Sequence, residues 1–206
     1  TPQSIDCKHQ AKLKANVPIF MLHALMEERS PISLDPLNFA SQVRWFHKHG
    51  YRSIRLIDLA QAIRDKQSIP EKTIIFTFDD GFETCYTQAA QILVEHGFLA
   101  TIFLVSGYCG KNNDWPGQPA DIPRWPLMSW EQIRALDQMG FEIGAHTHQH
   151  ARLDLVNEVT LESEILQSKA IIEDQLGHPV DTFCYPYGRY SLPIKNIVLI
   201  EDGRGI

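Results

Sequence analysis

The chain has 206 residues, of which 44% are hydrophobic and 21% are charged, a composition typical of one ordinary globular domain. A net charge of −6 without a basic cluster argues against nucleic acid as a partner. No apolar run reaches the roughly 18–20 residues that cross a bilayer, so we expect no transmembrane segment. Residues 1–16 are polar and show no signal peptide. We therefore expect an N-terminal tail over 1–16 and one domain over 17–206.

Six short apolar runs predict β-strands, at 18–25, 53–57, 73–78, 100–105, 141–145 and 182–185. The runs are nearly continuous rather than alternating, which is typical of parallel strands that are covered on both faces.

Four helical patterns lie between these runs. The first begins at Asp35 and Pro36, and the second spans about 83–96. The third follows the capping pair Ser129 and Gln132, and the fourth spans about 160–176 before Gly177. Strands that alternate with such helices predict an α/β fold with a parallel sheet, either closed into a barrel or open.

One long loop, residues 108–127, interrupts this alternation and is rich in proline and tryptophan. Loops of this length usually have a function or are disordered. Trp115 and Trp125 could stack on sugar rings, or they could pin the loop to the body of the domain.

Two groups of polar residues follow predicted strands. Asp79 and Asp80 end the run 73–78, and Gly81 allows a sharp turn just beyond them. His146 and His150 follow the run 141–145, and their spacing would place both rings on one face of a helical turn. Active sites of parallel α/β folds lie at the carboxyl ends of the strands, so we expect the two groups to meet.

Together these residues predict a catalytic divalent-metal site. Two histidines and one carboxylate leave coordination positions open for water and substrate. A metal in such a site lowers the pKa of water and polarises a carbonyl group, while the second carboxylate accepts a proton. We expect His148 to point away from the site, and His23 to be a core or supporting histidine near its rim.

Taken in order, the motifs resemble those of the polysaccharide deacetylases of carbohydrate esterase family four. Thr77-Phe78-Asp79-Asp80-Gly81 is similar to the first motif, His146-Thr147-His148-Gln149-His150 to the second, and Tyr185-Pro186-Tyr187-Gly188 to the third. The resemblance implies a distorted (β/α) barrel that removes N-acetyl, or O-acetyl, groups from an acetylated glycan.

The resemblance also implies a role for each motif. Asp80, His146 and His150 would bind the metal, usually Zn²⁺, although Co²⁺, Ni²⁺ or Fe²⁺ also serve. Asp79 would be the catalytic base, and the backbone N–H of Tyr187 would hold the oxyanion. The family further implies an extracellular, periplasmic or cell-surface location.

The chain departs from the family pattern in two places. Cys184 stands where an arginine often orients the base, which favours the exopolysaccharide-type branch. No Leu-x-His motif, the usual source of the general acid, follows Gly188, and no histidine follows His178. We therefore expect a barrel that lacks its C-terminal part, truncated or frameshifted after about position 190. The expected outcome is weak or no turnover with a largely intact metal site.

Three functions other than that of a deacetylase remain as alternatives. A non-catalytic relative would bind glycan or metal without turnover. Non-haem iron oxygenases also use two histidines and one carboxylate, but they need no spare carboxylate such as Asp79 and usually have a different sheet. A glycosidase would need its two carboxyl groups about 5 Å or more apart across the scissile bond, which adjacent residues rarely achieve.

Overall fold

The computed structural model describes residues 16–201, with the backbone alone at 193 and 199–201. The predicted N-terminal tail, 1–16, therefore lies outside the described residues except for its last position.

Strands and helices alternate along the described chain. In order they are β1 (Ile19–Leu22), β2 (Ala24–Leu25), β3 (Ser33–Leu34), α1 (Pro36–Lys48), β4 (Arg52–Ser53), α2 (Leu56–Arg64), β5 (Thr73–Phe78), α3 (Ala90–Glu95), β6 (Thr101–Leu104), α4 (Trp130–Gln138), β7 (Glu142–Ala145), α5 (Glu158–Leu176) and α6 (Leu192–Glu201). A π-helical turn, Cys85–Ala89, leads into α3.

The centre of the fold is a parallel sheet with the order β1-β5-β6-β7, and β4 pairs with the beginning of β5. This arrangement confirms the predicted α/β class with a parallel sheet. Within residues 16–201 the strands do not close into a barrel. The predicted strand 182–185 is only a single parallel bridge between Phe183 and Ala145.

The core is built around β5, all six residues of which are buried. The rings of Phe76 and Phe78 contact the edge of Phe39 in α1, at centroid distances of 5.9 and 5.8 Å. A nearly continuous apolar strand is stable here because both faces of β5 are buried. The buried strand thus fixes the position of the two carboxylates that follow it.

Local sequence signals set one end of each of three helices, as predicted. The Asp35 carboxylate accepts the Asn38 N–H at 2.9 Å and begins α1. Ser129 and Gln132 cap each other at the start of α4. Helix α5 ends at Gly177, which has a left-handed φ of +78°.

Two further strand predictions, besides 182–185, were wrong in part. The run 18–25 is interrupted at His23, which separates β1 from β2. The run 53–57 ends as a strand at Ser53, and its second half is the first turn of α2. The Asp58 carboxylate begins this helix because it accepts the backbone N–H of Arg55 at 2.9 Å and pairs with the Arg55 guanidinium at 2.7 Å. Helix α6 was not predicted.

The loop 108–127 is held against the body of the protein by its tryptophans. Trp115 and Trp125 are both buried. The ring of Trp125 packs edge-on against Phe82 at 6.0 Å, and its indole N–H donates to the Glu28 carboxylate at 3.3 Å. These contacts correspond to the pinning alternative rather than to exposed rings that stack on sugars.

Candidate metal centre

The turn after β5 brings the two neighbouring carboxylates to one site. Asp79 follows β5 directly, and its N–H still donates to the Leu22 carbonyl at 2.9 Å. Asp80 and Gly81 both have left-handed backbone, with φ of +70° and +78°. The turn includes Gly81, as the sequence suggested, and it begins one residue earlier, at Asp80 itself. Such a conformation is uncommon for a residue other than glycine and is concentrated at functional sites.

The two histidines approach each other without a helical turn, so that part of the prediction was wrong. The His146 N–H donates to the Leu104 carbonyl at 2.9 Å, as in a continuing strand. The carbonyls of Thr147 and His148 then accept the N–H groups of Ser106 and Gly107. The segment therefore pairs with the chain after β6 instead of coiling on itself. Left-handed φ values of +66° at Thr147 and +57° at His150 turn it back towards Asp80.

The predicted ligands converge on one carboxylate oxygen. His146 Nε2 and His150 Nε2 lie 3.5 and 3.2 Å from Asp80 Oδ1. All three residues are buried, and their donor atoms lie within 4.8 Å of one another. The structure therefore brings together the three residues that the sequence selected as metal ligands.

The hydrogen bonding of His146 shows that this donor set fits a cation. Its Nδ1 lies 2.8 Å from the Cys184 carbonyl, which only accepts, so Nδ1 carries a proton. In a neutral imidazole Nε2 then has a lone pair, and this lone pair faces the Asp80 carboxylate. Two electron-rich atoms facing each other in a buried site repel unless a cation lies between them.

The electrostatics of the site favour the protonation states that bind metal. Burial alone would raise the pKa of Asp80, but the histidines around it, His150 first and then His146 and His23, hold that pKa below its usual value. Burial, with repulsion from His150, lowers the pKa of His146. An ionised carboxylate and a neutral imidazole are the forms that coordinate a divalent ion.

Asp79 lies beside this cluster with one oxygen held and the other free. Oδ2 accepts the Cys184 S–H at 3.6 Å, while Oδ1 is buried and has no hydrogen-bond donor among the described residues. Burial, reinforced by the negative charge of Asp79, raises the pKa of Cys184, so the thiol keeps its proton. A carboxylate in this state can accept a proton from a group bound next to it.

His148 and His23 take the supporting positions that were expected. His148 turns away from Asp80, and its Nδ1 lies 3.0 Å from the Ser106 hydroxyl. His23 is half-buried, and its carbonyl accepts the Cys85 S–H at 3.7 Å. Its side chain lies close enough to Asp80 to contribute to the lowered pKa of that carboxyl.

Two residues that support the site were not predicted to do so from the sequence. The Trp115 ring packs against the His150 ring with a centroid distance of 4.4 Å and a tilt of 31°. The buried Glu164 of α5 accepts the Gln149 N–H through its carboxylate at 2.7 Å and the His148 N–H through its carbonyl at 3.0 Å. Helical periodicity alone gives no reason to place Glu164 at a site, although an aromatic residue in a long loop was a partial signal for Trp115.

Comparison with known proteins identifies the family. A family profile described as polysaccharide deacetylase matches residues 66–199, well over half of the chain. The chain belongs to the polysaccharide deacetylase family. This family has metal-dependent members, and the Asp80, His146 and His150 cluster lies within the matched range.

Individual relatives are distant. YxkH of Bacillus subtilis, whose name assigns it provisionally to the polysaccharide deacetylases, is 25% identical over 177 residues, which are 86% of this chain and 58% of the relative. The poly-β-1,6-N-acetyl-D-glucosamine N-deacetylase of Staphylococcus aureus is 24% identical over 165 residues, which are 76% of this chain and 54% of that enzyme. The chain thus spans little more than half the length of these relatives.

A solved structure supports the fold. IcaB from Ammonifex degensii superposes with a TM-score of 0.76 at 22% identity, covering 88% of this chain and 78% of that protein. Within the part of the chain that the structure describes, no helix has the length and apolar character needed to cross a membrane.

Proposed function

We propose that the protein is a metal-dependent deacetylase that hydrolyses acetamido groups, or acetyl esters, on a polysaccharide. The observation that carries the proposal is the convergence of His146 Nε2 and His150 Nε2 on Asp80 Oδ1, with the unpaired Oδ1 of Asp79 beside them. The relationship to an N-deacetylase of poly-N-acetylglucosamine supports an acetylated glycan as the substrate.

In this proposal Asp80, His146 and His150 hold one divalent ion, for which Zn²⁺ is the first candidate. When bound, such an ion would polarise the acetyl carbonyl and lower the pKa of a neighbouring water molecule. Asp79 accepts the proton of that water through Oδ1, while the Cys184 thiol holds Oδ2 in place. The backbone N–H of Tyr187, in a left-handed turn with φ of +59°, is the proposed donor to the oxyanion.

Membership of the deacetylase family weighs against the iron oxygenase alternative, since it accounts for both Asp79 and the metal cluster. The source of the general acid and the extracellular location stay predictions. Residues 17–206 as one catalytic domain are likewise part of the proposal.

The test is acetate release from N-acetylated glucosamine oligomers with added Zn²⁺ or Co²⁺, measured together with bound metal. Asp79→Asn should retain metal and lower kcat by about 10²–10⁴, since it removes the base but no ligand. Asp80→Asn should lose metal and activity together. The matched control is Asp121→Asn, a change of an exposed carboxylate in the long loop, which should leave both unchanged.

The outcomes separate the remaining possibilities. Activity that survives Asp79→Asn would contradict its role as base. Metal binding without acetate from the unmodified chain would fit both the weak turnover expected without a Leu-x-His motif and the binding-only relative. Absence of metal from that chain would overturn the centre itself.

A further inference from the structure

The side chain of Tyr187 makes a contact that its expected backbone role does not explain. Its hydroxyl oxygen lies 3.2 Å from Nδ1 of His150, and the two rings meet at a centroid distance of 4.8 Å and an angle of 68°. Trp115 covers the same imidazole at 4.4 Å with an interplanar angle of 31°. His150 is therefore confined by two aromatic rings from different parts of the chain.

We propose that Tyr187 is a positioning residue for the metal, whose hydroxyl fixes the tautomer and orientation of His150. The inference rests on the proposed function, because it takes His150 as a ligand through Nε2. A neutral imidazole that coordinates through Nε2 has its proton on Nδ1, and this proton needs an acceptor. The Tyr187 hydroxyl oxygen is within hydrogen-bonding distance of Nδ1 and can accept it.

The other ligand histidine shows the same arrangement. His146 Nδ1 donates to the backbone carbonyl of Cys184 at 2.8 Å. Cys184 and Tyr187 lie three residues apart, so one short segment, 184–187, supplies the outer hydrogen-bond partner of both imidazoles. Ligand histidines usually have such a partner on their second nitrogen, and its loss typically weakens metal binding by 10–100-fold.

The backbone and the surroundings of Tyr187 are arranged to hold its ring. Its φ of +59° is left-handed, and Gly188 follows with φ of +62°. The Arg152 guanidinium lies 5.8 Å from the Tyr187 ring centroid and is itself held by Asp154 at 2.8 Å. Tyr187 is partly exposed, at 45%, yet these contacts direct its hydroxyl to His150. Trp115 cannot replace it, because an indole N–H only donates.

The experiment compares the zinc affinity of the unmodified chain, Tyr187→Phe and Tyr190→Phe, by competition with a chelator of known affinity. Tyr187→Phe keeps the ring and removes only the hydroxyl, so we expect zinc binding to weaken by about 10–100-fold. Tyr190 is a matched control, since its exposed ring packs on Tyr185 instead, at 5.4 Å. Its variant should bind zinc as the unmodified chain does. The melting temperatures of the three metal-free proteins should agree.

A second measurement reports on the His150 imidazole separately from zinc affinity. In zinc-loaded protein with ¹⁵N-labelled histidine, the Nδ1–H signal of His150 should shift or exchange faster in Tyr187→Phe, while that of His146 stays unchanged. Unchanged zinc affinity in Tyr187→Phe, or equal weakening in Tyr190→Phe, would overturn the inference. Failure of the unmodified chain to bind zinc would overturn both the inference and the metal centre. Weakened zinc binding in Tyr187→Phe, in a chain that releases no acetate, would support the inference and contradict only the deacetylase.

Discussion

Backbone strain is concentrated at the candidate centre. Among the described residues other than glycine, six have positive φ, and four of these, Asp80, Thr147, His150 and Tyr187, lie at the site. Each such conformation costs of order 1–3 kcal/mol and persists only where the surroundings fix it. Here hydrogen bonds hold the backbone of the turn after β5 and of the segment 146–150. We expect a bound cation to offset part of the free-energy cost of these left-handed conformations.

Gly81 offers a direct test of this strain. Its φ is +78°, and a Cβ placed there would lie 2.7 Å from Leu104 Cδ2. Gly81→Ala should therefore lower the free energy of unfolding by about 1–3 kcal/mol and also weaken zinc binding, since Asp80 precedes it directly. Urea denaturation and zinc competition would measure the two effects.

Gly97→Ala is the matched control for this prediction. Gly97 has a similar φ of +71° but open space around its Cβ position. Gly97→Ala should lower the free energy of unfolding through its left-handed backbone alone, without any loss of zinc affinity. Equal stability losses and equal zinc affinity in the two variants would contradict the close packing of Gly81 against the site.

At the level of elements, the start of α2 depends on residues from two distant strands. The Leu56 N–H donates to the Thr101 hydroxyl at 2.9 Å, and the Ile57 N–H donates to the Glu142 carboxylate at 3.0 Å. The Thr101 hydroxyl in turn donates to the same Glu142 oxygen at 2.7 Å. These groups satisfy the free N–H groups of the first helical turn, which a helix cannot satisfy internally.

Thr101→Val should show how much this cap contributes. Valine has nearly the same shape, but it leaves the Leu56 N–H and the buried Glu142 carboxylate each without one partner. We expect the free energy of unfolding to fall by about 1–3 kcal/mol, measured by urea denaturation. Thr87→Val, a change of an exposed threonine, controls for the substitution itself. Similar small losses in both variants would mean that the buried network does not stabilise α2.

At the scale of the whole molecule, His178 should give the stability a dependence on pH. Its hydrogen bond to the Pro179 carbonyl, and after it the contact with Asp137 at 2.9 Å, raise the pKa of His178 despite partial burial. A raised pKa in the folded state stabilises the protein fully below the unfolded value, about 6.5, and this contribution disappears as pH rises through the folded value.

His178→Gln should therefore lower stability most below about pH 6.5 and progressively less above it. Urea denaturation at several pH values between 5 and 9 would measure the difference between variant and unmodified chain. Asp137→Asn should remove only part of the effect, because the Pro179 carbonyl remains. A difference that stays constant across this range would contradict the assignment.

The outcome for individual elements shows what local sequence can predict. Helices α1, α4 and α5 have caps or stops within a few residues of their ends, and these ends were predicted or nearly so. Helix α2 was read partly as a strand because Ile54, Leu56 and Ile57 form an apolar run, while two of its capping groups lie on β6 and β7. Arg55 and Asp58 also mark this end of the helix locally.

The sequence by itself determined the alternation of strands and helices and the selection of Asp79, Asp80, His146 and His150, because periodicity, caps and ligand chemistry are properties of neighbouring residues. Only the tertiary structure decided how these groups meet. The pairing of the His146–His150 segment with the chain after β6 and the contact of Tyr187 with His150 each join segments far apart in sequence. The left-handed turn at Asp80 likewise persists only because its surroundings fix it. Such contacts depend on the packing of the whole sheet, so no local pattern specifies them.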